Sequence, residues 1–139
     1  MDSQAFLREL ESLSLPASSF DHTAHLFAAW SYRCRYPARE AAARCARTLS
    51  RFAMANGDAA KYHHTLTLSI LTLLYDRMAQ DAALSRDWSA FLSACDDIRR
   101  DARNVVLEHY SADRLNDDTA RKSFVEPDRK PLPALCPLH

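Results

Sequence analysis

The sequence predicts an all-α fold: a bundle of five to six helices with an extended proline-rich tail. Three observations carry this reading. Apolar residues recur every three or four positions along most of the 139-residue chain, which is the period of a helix with one buried face. No short run alternates apolar and polar residues with β-branched enrichment, so no half-buried strand is expected. The chain also has a single glycine, too few for a set of primed hairpin turns or for a glycine loop cradling a phosphate.

Taken in order, residues 3–14 put Phe6, Leu10 and Leu13 on one face, and Pro16 stops that helix by pushing the residue before it out of the α region. Residues 21–34 start behind Asp21 or Ser19 as N-cap, with Phe20 as a hydrophobic staple. Their inner stripe is His22, Leu26, Ala29 and Trp30. Pro37 opens a third helix, 38–55, with Ala41, Cys45, Leu49 and Phe52 inward. Arg39, Arg44, Arg47 and Arg51 form a basic, solvated face, and Asn56-Gly57 supplies the left-handed end. Residues 59–79 are the most apolar segment and belong at the centre, with Thr65, Ser69, Thr72 and Asp76 as their polar stripe. A helix over 87–95 carries Trp88, Phe91 and Cys95, and its period runs on, with or without a break, through Ile98, Ala102, Val105 and His109. A turn at 111–116 and a short helix, 117–125, complete a single domain, 1–125. The tail, 126–139, holds four of the six prolines and must be extended.

Eighteen Lys and Arg balance eighteen Asp and Glu. A zero net charge argues against nucleic acid or an anionic membrane as partner, since both select a cationic surplus. No window approaches the ~18 apolar residues of a membrane span. The acidic, amphipathic start does not read as a signal peptide, so the expected location is cytoplasmic. Cys34, Cys45, Cys95 and Cys136 are widely spaced and read as reduced, mostly buried thiols.

Function rests on the histidines. His22 and His25 lie one turn apart on the second helix, His63 falls mid-stripe on the central helix, and His109 follows Ile98, Ala102 and Val105. Three helices thus direct imidazoles at a common core. Converging neutral rings satisfy one another poorly, because each offers one donor and one acceptor. A divalent metal resolves the conflict, and nitrogen ligands favour Fe, Zn or Cu. The first expectation is therefore a metal-dependent enzyme acting on a small molecule. His22, His63 and His109 are its ligands, His25 is a fourth or supports them from behind, and Tyr62, Tyr110 and Arg121 line the pocket around an open coordination position. The alternative is a metal-free helical module that binds a small metabolite and uses the histidines as hydrogen-bonding walls. Either would be compatible with a homo-oligomer. Thr65 and Thr67 read as bonding their own helix backbone. His64 has no assigned role, and His139 lies in the tail.

Several blocks stand out: Phe20-Asp21-His22-Thr23-Ala24-His25-Leu26, Tyr62-His63-His64-Thr65-Leu66-Thr67, His109-Tyr110-Ser111, Ala120-Arg121, and Pro127-Asp128 with Pro131-Leu132-Pro133. Together they resemble a family of small bacterial proteins to which no activity is attached. The resemblance spans residues 20 to 133. It implies that His22, His25, His63 and His109 belong to its signature blocks, and it implies no reaction.

Overall fold

Short acidic side chains start several of the helices, and their positions set the architecture. In the computed structural model, which describes residues 2–133, Asp2 caps α1 (Ser3–Glu11) by accepting from the amides of Gln4 and Ala5. Asp21 caps α2 (His22–Arg35) through the Ala24 amide. Each such bond satisfies a donor that the first helical turn leaves open. The remaining helices are α3 (Ala38–Ala55), α4 (His64–Gln80), α5 (Trp88–Ala94), α6 (Asp96–Val106), α7 (Ala112–Leu115) and α8 (Asp118–Lys122). Single 3-10 turns occupy 17–19, 59–61 and 82–85.

The described residues are all-helical, as expected, but hold eight α-helices rather than five or six. The excess comes from breaks. The long period from Trp88 onward divides at Cys95, and α6 breaks again at Asp101, whose backbone is extended (φ −158°, ψ 76°). There the Asp101 carboxylate accepts from the Asn104 amide at 3.1 Å and recaps the chain. The turn at 111–116 contains α7. Gly57 (φ 73°) ends α3 as expected, with Gly57 N–H donating to Met54 and Asp58 N–H to Ala53. α1 ends before the Pro16 stop by the same motif, built on Leu13 (φ 63°), with Ser14 N–H reaching the Glu9 carbonyl at 2.9 Å. A leucine in that left-handed conformation is strained.

α4 is the hub. Leu68, Leu71, Leu74, Tyr75 and Met78 are buried, and so are Thr65, Ser69 and Thr72 of its polar stripe. The stripe therefore faces protein, because α4 packs against α2, α3, α6 and α8. Thr72 returns its hydroxyl to the Leu68 carbonyl at 2.8 Å, which is how a buried hydroxyl stays satisfied on a helix. Two hydrophobic clusters result. The larger unites α1–α6 around Phe27, Phe91 and the tryptophans, with Trp30 Nε1 donating to the Leu84 carbonyl at 2.8 Å. The smaller gathers Val106, Tyr110 and Leu115 under Val125 and Leu132. Cys45 and Cys95 are buried free thiols, and Cys34 is an exposed one. No helix among the described residues is long and apolar enough to cross a membrane. The last tail residues, with Cys136 and His139, lie outside the described range.

Candidate functional site

The four expected metal ligands separate into two pairs with different work. His63 is not on the central helix but immediately before it, as the N-cap of α4. Its Nδ1 accepts from the Leu66 amide at 3.0 Å, and its Nε2 donates to the Leu115 carbonyl at 2.7 Å. Those two bonds commit both ring nitrogens and fix the tautomer. His109 lies beyond the end of α6 and is buried. Its Nδ1 donates to the carbonyls of Lys130 and Pro131, each at 3.1 Å.

His63 thus ties the start of α4 to the end of α7, while His109 belongs to a lashing that holds the C-terminal segment. Thr65 donates to the Ser123 carbonyl at 2.9 Å and accepts from the Val125 amide at 3.1 Å. Tyr110, fully buried, donates its hydroxyl to the Val125 carbonyl at 2.5 Å. Asp128 takes the Ser111 amide at 2.7 Å and the Ser111 hydroxyl at 2.6 Å, and these bonds hold its carboxyl below the usual range. The amides of Arg129 and Lys130 both donate to the His109 carbonyl. Tyr110, expected to line a pocket, and Thr65, expected to bond its own helix, instead bind residues 123–125, which lead into the tail.

His22 and His25 stand elsewhere, at the exposed mouth of a cavity of about 450 Å3. The cavity opens between α2, α3, α4 and α6. Its buried floor is Leu26, Ala29, Cys45, Leu71, Leu74 and Ile98. Half-buried Leu49, Leu66, Ile70 and Ala102 form the walls. Lys61, Arg99, Arg100 and Arg103 join the histidines at the rim, together with the acid Asp101. Asp58 pairs with Lys61 at 3.5 Å, and Asp96 with Arg99 and Arg100 at 2.7 and 2.9 Å. The break at Asp101 positions this rim, since a continuous α6 would carry residues 101–103 along a different line. His25 is held on two sides: its Nδ1 donates to the Asp21 carbonyl at 2.8 Å, and its ring stacks on Phe20 at 3.9 Å. Its Nε2 then carries the lone pair and stays available. The protein around the ring lowers its pKa, outweighing the opposing effect of the Asp21 carbonyl, so His25 presents a neutral acceptor at neutral pH.

Tyr62 and Arg121 meet in a third place, a shallow groove between α3 and α8, with Tyr62 hydrogen-bonded to His64 Nδ1 at 2.8 Å. The structure therefore groups His22 with His25 and Tyr62 with Arg121, and commits His63 to the end of α7, His109 to Lys130 and Pro131, and Tyr110 to Val125. Among the described residues, no three His, Cys, Asp or Glu side chains stand together so as to hold a metal ion. Sequence reasoning passed over Lys61 and Arg103 at the cavity rim. The one local signal for that rim was Asp101 three residues before Asn104, a capping residue inside a helical period. No protein-family model, curated protein or solved structure matches the chain.

Proposed function

We propose that the protein is a metal-free helical binding module for a small apolar carboxylate, held in the cavity under His22 and His25. One observation carries the reading: an apolar floor is rimmed by two imidazoles and four cations, Lys61, Arg99, Arg100 and Arg103, against a single acid, Asp101, so the rim has a cationic excess. A volume of about 450 Å3 falls in the ~300–1,000 Å3 range of small-molecule sites, which pair apolar linings with a few placed polar groups. The floor takes an apolar body, and burial of that body supplies the driving force. Lys61 and Arg103 attract an anionic end to the rim. His25 then couples binding to a proton. A carboxylate beside the neutral ring favours its charged form, so the ring gains a proton at Nε2 and becomes a donor to the ligand. The metal-dependent reading draws less support, because it needs His63 and His109 at the same point as His22, and His63 has both nitrogens committed to backbone groups.

Calorimetric titration of the full chain with octanoate tests the proposal. We expect saturable 1:1 binding that is unchanged by EDTA, takes up a proton near neutral pH and is lost in Ala102→Phe, which fills the cavity. Absence of octanoate binding, binding retained in Ala102→Phe, or binding abolished by EDTA would each contradict it.

A further inference from the structure

The groove between α3 and α8 has a chemistry that the apolar cavity lacks. It measures about 540 Å3 and is lined on the α3 side by Arg47, Ser50 and Arg51, and on the α8 side by Arg121 and Lys122. No carboxylate lines it. On a chain whose formal charges sum to zero, four cations facing one concave surface are a marked segregation.

Neighbouring residues on α3 show what is unusual about the pair in the groove. Arg44 is partnered twice, by Glu40 at 2.9 Å and by the Tyr36 ring, over which its guanidinium sits at 4.1 Å. Arg47 and Arg51, one turn apart, have no ion pair among the described residues. Like charges at that spacing repel and destabilise a helix. An anion between them would reverse the sign of that interaction. Opposite them, Arg121 and Lys122 share a single exposed acid, Asp118, leaving positive charge in excess on that wall too. The floor is neutral. Burial pushes the Tyr62 hydroxyl up to about 12, and burial together with His63 lowers the pKa of its partner His64, so neither adds charge near pH 7.

We infer that this groove is a second binding site, for the phosphoryl groups of a small phosphorylated molecule. Arginine favours phosphate because its planar fork donates two parallel hydrogen bonds to two oxygens. Arginines on one wall and an Arg–Lys pair on the other suit a ligand carrying two or more negative charges. The floor of Ala46, Leu68 and the Tyr62 ring gives the remainder of such a molecule an apolar surface. The balanced charge of the whole chain disfavours a long polyanion, which would need cations beyond the groove. The site is separate from the apolar cavity and shares no lining residue with it.

Pyrophosphate serves as the probe, titrated calorimetrically into the full chain against sulfate and chloride at matched ionic strength. We expect saturable 1:1 binding of pyrophosphate that exceeds sulfate, with the affinity weakened at least tenfold in Arg47→Gln/Arg51→Gln and in Arg121→Gln. Arg39→Gln, on the same helix but outside the groove, should leave it unchanged, and octanoate should bind equally with or without pyrophosphate. Helix content by circular dichroism establishes that each variant is folded. Three results would overturn the inference: binding no better than sulfate, equal losses in Arg39→Gln and the groove variants, or an affinity for oligothymidylate that exceeds that for pyrophosphate and grows with its length.

Discussion

His63 and His109 are consumed by structure, whereas His22 and His25 are left facing a cavity. Both pairs come from helical stretches rich in apolar neighbours, so composition does not separate them. What separates them is the supply of backbone groups. At the lashed end, an extended segment without regular structure, residues 124–133, and the open ends of α4 and α7, which His63 joins, bring carbonyls and amides that helices do not satisfy. Imidazole, hydroxyl and carboxylate side chains close that deficit. At the cavity end, four helices satisfy their own backbones, so only the Asp21 carbonyl claims a ring nitrogen. His25 and His109 each bond through Nδ1 alone, but His25 is exposed and His109 buried: an accessible nitrogen above an apolar floor is a binding feature, and a buried ring tied to a distant carbonyl is a fastening.

The comparison breaks if substitutions at the lashed end alter ligand binding or if those at the cavity end cost as much stability as Thr65→Val. Thr65→Val should have the largest effect on stability, about 1–3 kcal/mol by urea unfolding, because it removes the shared partner of the Ser123 carbonyl and the Val125 amide. Octanoate affinity should not change. His63→Ala should cost about 0.5–2 kcal/mol through loss of the α4 cap. His63→Asn should recover part of this, since asparagine caps well but does not reach Leu115. By contrast, His25→Gln, at an exposed position, should cost about 0.5–1 kcal/mol, less than Thr65→Val, through loss of the Asp21 bond and the Phe20 stack, while weakening octanoate binding several-fold.

Proton linkage sharpens the contrast with smaller effects. The folded pKa of His25 lies below its ordinary 6.5, so below that pH the unfolded chain binds more protons and stability falls. His64 is lowered as well, so His25→Gln should remove part, not all, of the slope below pH 6.5 in thermal unfolding. Asp128 behaves in the opposite range. Its carboxyl is depressed from 3.8 by the two Ser111 bonds, so its contribution is present above that pH and disappears as pH falls through the lower folded value. Asp128→Asn should flatten stability only in that acid range, and amide exchange should show the 126–133 segment opening first.

Much of the fold was legible because it rests on local rules. Helix period placed α2, α3 and α4, Gly57 announced its left-handed turn, and the density of apolar residues placed α4 at the centre. His63 was misplaced for a local reason too. The helical wheel was applied to a residue one position outside the helix, and histidine is not among the side chains expected at an N-cap. The lashing was not legible, since Thr65 meets Ser123 and Val125 across 58 and 60 positions and nothing adjacent to Thr65 signals such partners. The cavity depends on how four helices fit together. Periodicity reports which face of a helix is apolar, and it does not report whether facing side chains fill the space between them.

The division of the histidines can be read directly from the imidazole nitrogens by long-range 1H–15N correlation spectra during titration with octanoate and, separately, with zinc. The account predicts that octanoate perturbs His22 and His25, that His63 and His109 keep fixed tautomers with unmoved resonances, and that zinc does not shift the four rings together at one equivalent. Concerted movement of all four with either addition would contradict it.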